Sequence, residues 1–144
     1  MSALGDWMNT LISTVEALTP PDRTDVHYQC MDGQERGEGT SSDRTFSFDD
    51  LSSSRTIAER GAAYRQIEWS TAIALRLVGD GYTRTDFVKR QADEVALILK
   101  SIDTLNESAL PSGVLSVITE GHQLKRMRDE VVIRFPMRVL TGES

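Results

Sequence analysis

Cysteine occurs once in this 144-residue chain, at Cys30, which excludes an intramolecular disulfide and makes a reducing compartment the default reading. Histidine occurs twice, at His27 and His122. Together the three are too few for a structural zinc site, which takes about four Cys or His ligands. Long apolar runs are missing as well. The longest stretch without a charged residue, Ser108 to Thr119, has twelve residues, against the ~20 that a membrane helix requires. No Lys or Arg precedes Arg23, so the N-terminal segment lacks the basic opening of a secretory signal, and Trp7 to Val15 reads as part of a domain helix. No membrane partner is expected. Positive charge is in deficit too: 16 basic against 22 acidic residues give a net charge of −6. Such a balance argues against a general role on nucleic acid, where a basic face supplies most of the affinity, and no sequence-specific nucleic-acid partner is expected.

What is present is enough for one domain spanning residues 1–144, at 39% apolar and 26% charged residues. Leu4, Trp7, Met8, Leu11, Ile12, Val15 and Leu18 recur at helical spacing. Ser2 is placed to cap this helix, and Pro20 and Pro21 stop it. A brief extended stretch is expected around Val26, Tyr28 and Cys30. Asp32 to Arg44 contains three glycines and no apolar residue beyond them. With the polar stretch Asp49 to Arg60 it reads as a mobile loop region over about 32–60, interrupted by a short strand signal at Arg44 to Phe48.

Arg65 to Val78 is the clearest strand. Ile67, Trp69, Thr71, Ile73, Leu75 and Leu77 share one face over a length of ~40 Å, about twice the usual. Thr83 with Asp86 predicts a capping box opening a second helix, whose stripe is Phe87, Val88, Ala92, Val95, Ile98, Leu99, Ile102 and Leu105. Val114 to Thr119 reads as a strand, Gly121 to Lys125 as a turn, and Met127 to Leu140 as a final strand in which Pro136 favours an edge position or a bulge. Two one-sided helices and one-sided strands predict an α+β fold: an antiparallel sheet with both helices packed on one face and a long loop insertion.

No pattern for catalysis stands out. There is no G-x-S-x-G elbow, and Gly79-Asp80-Gly81 has Arg84 where the dinucleotide fingerprint needs its third glycine. That segment reads as a tight turn, with anion binding at Gly79 to Arg84 left open. Asp22, Asp25, His27 and Asp32 carry suitable metal-ligand atoms but match no ligand spacing, and an ordinary acidic loop accounts for them. No catalytic residue, metal ligand or cofactor is expected. Charge, however, is unevenly placed. Residues 1–50 carry 3 basic and 10 acidic side chains, residues 51–120 carry 8 and 9, and residues 121–144 carry 5 and 3. The chain therefore runs from acidic to mildly basic, a polarity suited to head-to-tail contacts between copies. Arg76, Arg134 and Arg138 alternate with the apolar faces of their strands and so project from the other side of the sheet, where Arg is favoured at interfaces.

This element order, with an amphipathic helix at Leu4 to Leu18, an acidic loop-rich segment at Asp32 to Arg60, the long strand, the helix Thr83 to Leu105 and two closing strands, resembles the tail terminator proteins of long-tailed bacteriophages. The resemblance covers nearly the whole chain and rests on element order, with no diagnostic motif. It implies a non-enzymatic virion protein, assembled in the host cytoplasm and placed in the tail or neck. There it would form a hexameric ring that caps the tail tube protein and joins it to the head-side connector. It further implies loops that order on assembly and sheet contacts between subunits. By position, Arg55, Arg60, Tyr64 and Arg65 are the candidates for ring or tube contacts, followed by Arg76, Arg134 and Arg138. Another neck protein, for head-tail joining or tail completion, fits the same features. A small ligand-binding or hydrolytic α+β domain is the alternative from a different class.

Overall fold

The computed structural model describes residues 2–21, 27–31, 43–58, 65–79, 81–108 and 110–143. In chain order these form α1 (Ala3–Glu16), β1 (Gln29–Cys30), β2 (Thr45–Ala58), β3 (Arg65–Val78), α2 (Arg84–Ser108), β4 (Val114–Thr119), β5 (Gln123–Arg126) and β6 (Glu130–Glu143). The sheet runs β1-β2-β3-β6-β4, with β5 beside β6. Every pairing is antiparallel except the short one between β1 and β2. The class is α+β, as the patterning predicts.

Both helices start where their caps place them. Ser2 Oγ accepts from the Gly5 amide at 3.1 Å, and Thr83 Oγ1 accepts from the Asp86 amide at 3.2 Å. α1 buries Ala3, Leu4, Trp7, Leu11 and Val15. α2 contributes Val95, Ile98, Ile102 and Leu105 to the same apolar cluster. The sheet's share comes from one face: Ile73, Leu75 and Leu77 of β3 lie opposite Phe135, Ile133 and Val131 of β6, and all six are buried. Each fully buried Leu, Ile, Val or Phe contributes roughly 1.5–3 kcal/mol, so this shared face holds helices and sheet together.

The expected loop over 32–60 needs correction. Its residues 32–42 and 59–60 lie outside the described residues, but 45–58 form a fourteen-residue strand paired with β3 along its length. Two features hid it. Register shifts at Phe48/Asp50 and Ser53/Arg55 break the period of two. Leu51, Ser52 and Ser53 are also exposed, so no core-facing alternation marks these positions. Across the pair Gln66 to Ser70 are only half-buried, with Trp69 packed against the core cluster. The distal β2–β3 hairpin therefore outruns the helical layer.

The last strand also begins later and ends later than the patterning predicts. Gly121 to Lys125, read as a turn, contains most of β5, which pairs with β6 through a hairpin closed by Met127 N donating to the Glu130 carbonyl at 2.9 Å. All four residues of β5 are exposed, so no apolar alternation marks it. Pro136 is not on an edge strand. β6 is central, with β3 along one side and β4 and β5 end to end along the other. The Pro136 carbonyl accepts from Glu120 N at 2.9 Å, so its nitrogen points to the same side, where β4 has ended and β5 has not begun. A proline fits a central strand here because no ladder donor is needed at the break.

Candidate functional site

The structure spreads the sequence-predicted residues over two regions. Arg55 lies in distal β2 opposite Glu68, and Arg65 starts β3 opposite Ala58 and Glu143. Arg60 and Tyr64 lie outside the described residues, as do Asp22, Asp25 and Asp32. Arg76, Arg134 and Arg138 share the face of the sheet away from the helices, as their alternation predicts.

Each of these three is engaged within the chain. Arg134 Nε donates to Asp49 Oδ2 at 2.9 Å. Arg138 Nε donates to Glu120 Oε1 at 3.1 Å, with Glu68 at 3.9 Å from the same guanidinium. Arg76 lies 3.5 Å from Glu130. The hydrogen bond and charge of Glu120 raise the Arg138 guanidinium above its ordinary pKa, with Glu68 adding to the shift. Exposed pairs of this kind, screened by solvent and held by long flexible side chains, contribute little to stability. The open face is thus a polar sheet surface bridged by ion pairs, rather than a basic patch.

A more concentrated arrangement lies where β1, the residues before β2, and α2 meet. Arg44 and Glu94 are 1% and 0% exposed. Arg44 grips the Glu94 carboxylate with both arms of its fork, Nε to Oε1 at 2.9 Å and Nη2 to Oε2 at 2.7 Å. Its third nitrogen donates to both oxygens of Asp43, at 2.7 and 2.8 Å. Tyr28 OH donates to Glu94 Oε1 at 2.7 Å, and Asp43 Oδ1 accepts from the Val78 amide at 3.0 Å. Nearly every donor and acceptor in this buried set is matched, the condition under which such a network specifies one arrangement. Arg44 adopts φ +57, a left-handed conformation uncommon for a non-glycine residue. Its backbone is held on both sides, with N donating to the Arg76 carbonyl at 2.8 Å and its carbonyl accepting from Gln29 N at 3.0 Å.

Electrostatics follow from burial. Burial, then the charge and hydrogen bond of Glu94, push the Tyr28 phenol well above its ordinary 10.0, with Arg44 pulling the other way. Burial alone would lower the Arg44 guanidinium, but the hydrogen bonds and charges of Glu94 and Asp43 more than reverse it and hold it above its ordinary value. Because the folded-state pKa of Tyr28 is raised, the stability tied to its protonated form is intact below pH 10 and is lost as pH rises beyond it. The folded protein is expected to lose about 1.4 kcal/mol per pH unit to this group above pH ~10. Tyr28→Phe is expected to remove that part of the slope. Urea unfolding of both proteins between pH 8 and 12 checks this; parallel profiles would contradict it.

Next to the network a cleft of about 460 Å³ opens between the β3–α2 turn and the β5–β6 hairpin. Tyr82 belongs to both, since Arg44 Nη2 donates to its hydroxyl at 3.4 Å and its ring stacks on Phe87 at 6.0 Å in the cleft wall. Gly79 also lines the cleft, and a Cβ there would sit 3.0 Å from the Phe87 ring and 3.2 Å from the Asp129 carbonyl. The glycine at the turn thus has a packing reason, consistent with the tight-turn reading of the sequence.

Sequence reasoning did not single out Arg44, Glu94, Tyr28 or Gln91 as a group. One signal was available: α2 buries Gln91, Glu94 and Ser101 on the same side as Val95, Ile98 and Ile102, while Val88, assigned to the apolar stripe, is 45% exposed. A carboxylate on the buried side of a helix needs a partner and so predicts a buried cation. No protein-family model matches the chain, and no curated protein matches it in sequence.

Proposed function

We propose that this chain is a structural virion subunit, a tail terminator that forms a hexameric ring, caps the tail tube and joins it to the head-side connector. The observation that supports this reading is the β2–β3 hairpin. Two paired fourteen-residue strands extend ~45 Å. Beyond the Leu51–Thr71 pair no described residue of either strand is buried, and β1 lies alongside only Thr45 and Phe46 at the sheet's outer side. A domain that served only its own core would not need strands that outrun its helices, whereas a subunit that shares sheet contacts with neighbours would. On this reading the protein is not an enzyme, and Arg55, Arg60, Tyr64 and Arg65, which lie in sequence from distal β2 to the start of β3, make the ring or tube contacts. The ion-paired Arg76, Arg134 and Arg138 are secondary. A head-tail joining or tail completion protein remains the neighbouring alternative, with the same subunit logic.

Light scattering followed by negative-stain imaging tests the proposal. The expected result is a hexameric ring, formed alone or on adding tail tubes, that is lost on Arg55→Glu with Arg60→Glu while the monomer stays folded. A chain that stays monomeric with tubes present, or a compact dimer with catalytic turnover, would overturn it.

A further inference from the structure

We propose that the cleft between the β3–α2 turn and the β5–β6 hairpin is an oxyanion site that takes phosphate or a phosphate ester. Three arginines from two separate elements line it: Arg84 at the start of α2, and Arg126 and Arg128 from the hairpin. The guanidinium of none of the three makes a hydrogen bond or ion pair with a described residue, in contrast to those of Arg76, Arg134 and Arg138 on the open face. The hairpin could have satisfied them, because Asp129 and Glu130 also line the cleft, yet Glu130 is held by Arg76.

A second observation points the same way. Gln91 lines the cleft and is only 7% exposed, but its amide has no hydrogen-bond partner. It is not among the polar atoms sealed from solvent without a partner, which are Trp7 Nε1, Arg76 Nε, Arg90 Nε and Asn106 Oδ1. Its amide is therefore not sealed, and because Gln91 lines this cleft as well as the apolar pocket beside it on α2, a ligand oxygen in the cleft would give it the partner that the chain does not. Arginine forks match the oxygens of a phosphate in planar, charge-assisted pairs, and a carboxamide adds a neutral donor beside them. The volume lies within the range of small-ligand sites, ~300–1,000 Å³. Charge also fits: three unpaired guanidiniums against Asp129 favour a ligand with two or more negative charges.

The test is thermal unfolding of the full chain at constant ionic strength in chloride, phosphate, pyrophosphate or a nucleoside triphosphate. A ligand at about 100 times its Kd is expected to raise Tm by roughly 5–10 °C for a domain of this size. Arg126→Ala with Arg128→Ala is expected to abolish the rise, and Lys125→Ala, also on β5, to leave it intact. A rise with phosphate or pyrophosphate supports a simple oxyanion site; a rise with the triphosphate alone supports a phosphate-ester site. No rise with any of them, or an equal rise in wild type and the arginine double variant, would overturn the proposal. So would a change of assembled mass on reversing both arginines to glutamate without any phosphate response, which would assign them to a protein contact. Because the monomer suffices for the binding measurement, its outcome is independent of ring formation.

Discussion

Glu94→Ala is expected to destabilise the fold by about 3–5 kcal/mol, the usual cost of removing one partner from a buried ion pair. The size follows from what is left behind. The Arg44 guanidinium, 1% exposed, would keep Asp43 but lose both bonds to Glu94, and the Tyr28 hydroxyl would lose its acceptor. Three elements would loosen together, because the network ties the residue before β1, the residues before β2, and the second turn-and-a-half of α2 to one another. Against a typical total of 5–15 kcal/mol, such a loss brings the protein close to unfolding at room temperature. Urea titration gives the number directly from the midpoint and slope. A companion variant separates the net worth of the pair from the penalty of an orphaned charge. Arg44→Met with Glu94→Leu removes both charges and is expected to recover a large part of the loss. A cost below about 1 kcal/mol for Glu94→Ala would show that solvent reaches the guanidinium, which contradicts its burial.

Trp7→Ala is expected to cost a similar ~3–5 kcal/mol, through a different mechanism. Trp7 is fully buried and meets Phe48 of β2 edge to face, with ring centroids 6.1 Å apart. It is the largest side chain by which α1 holds the sheet, so truncation leaves a cavity under a fourteen-residue helix that is too short to persist alone. The two losses differ in their signature. Trp7→Ala leaves polar groups untouched and is expected to keep the alkaline slope caused by Tyr28, whereas Glu94→Ala is expected to flatten it. The Trp7 indole nitrogen is buried without a partner. Trp7→Phe removes that orphan while keeping most of the ring, and is expected to cost far less than alanine. Denaturant midpoints for the three proteins check this ordering.

How far the chain could be read follows from where each segment lies relative to the core. β3 was legible from its side-chain types, since large apolar residues at Ile67, Trp69, Ile73, Leu75 and Leu77 alternate with polar or small ones, and the small Ala72 and Ala74 are buried on the other face without breaking that period. Both helix starts were legible from Ser2 and from Thr83 with Asp86, because caps act locally. β2 was legible only at Phe46 and Phe48, the part that reaches the core; past Asp49 its ladder is held by β3, and Leu51, Ser52 and Ser53 are exposed. β5 failed for the same reason. The buried network failed for the opposite one. Arg44 sits in a polar, glycine-rich stretch that suggests solvent, and its burial is decided by Glu94, fifty residues later. The arginine cleft was half legible: Gly79 to Arg84 drew attention as a turn before a helix, but Arg126 and Arg128 join it only through the hairpin.

The place of β6 in the sheet has a consequence for how the chain is made. The strand that pairs with β3, β4 and β5 is the last in sequence order. When β2 and β3 have left the ribosome as a hairpin, the apolar row Ile73, Leu75 and Leu77 has β2 on one side and nothing on the other, because Phe135, Ile133 and Val131 are still unmade. At roughly 5–20 residues per second, synthesis keeps that row waiting for several seconds. Its closure then joins residues separated by the whole of α2, a non-local step that folds slowly compared with a helical bundle of equal size. The nascent chain is therefore exposed to aggregation in the interval between β3 and β6, and the polar residues Ser52 and Ser53 of β2 with Gln66, Glu68 and Ser70 of β3 are the part of the hairpin suited to that wait.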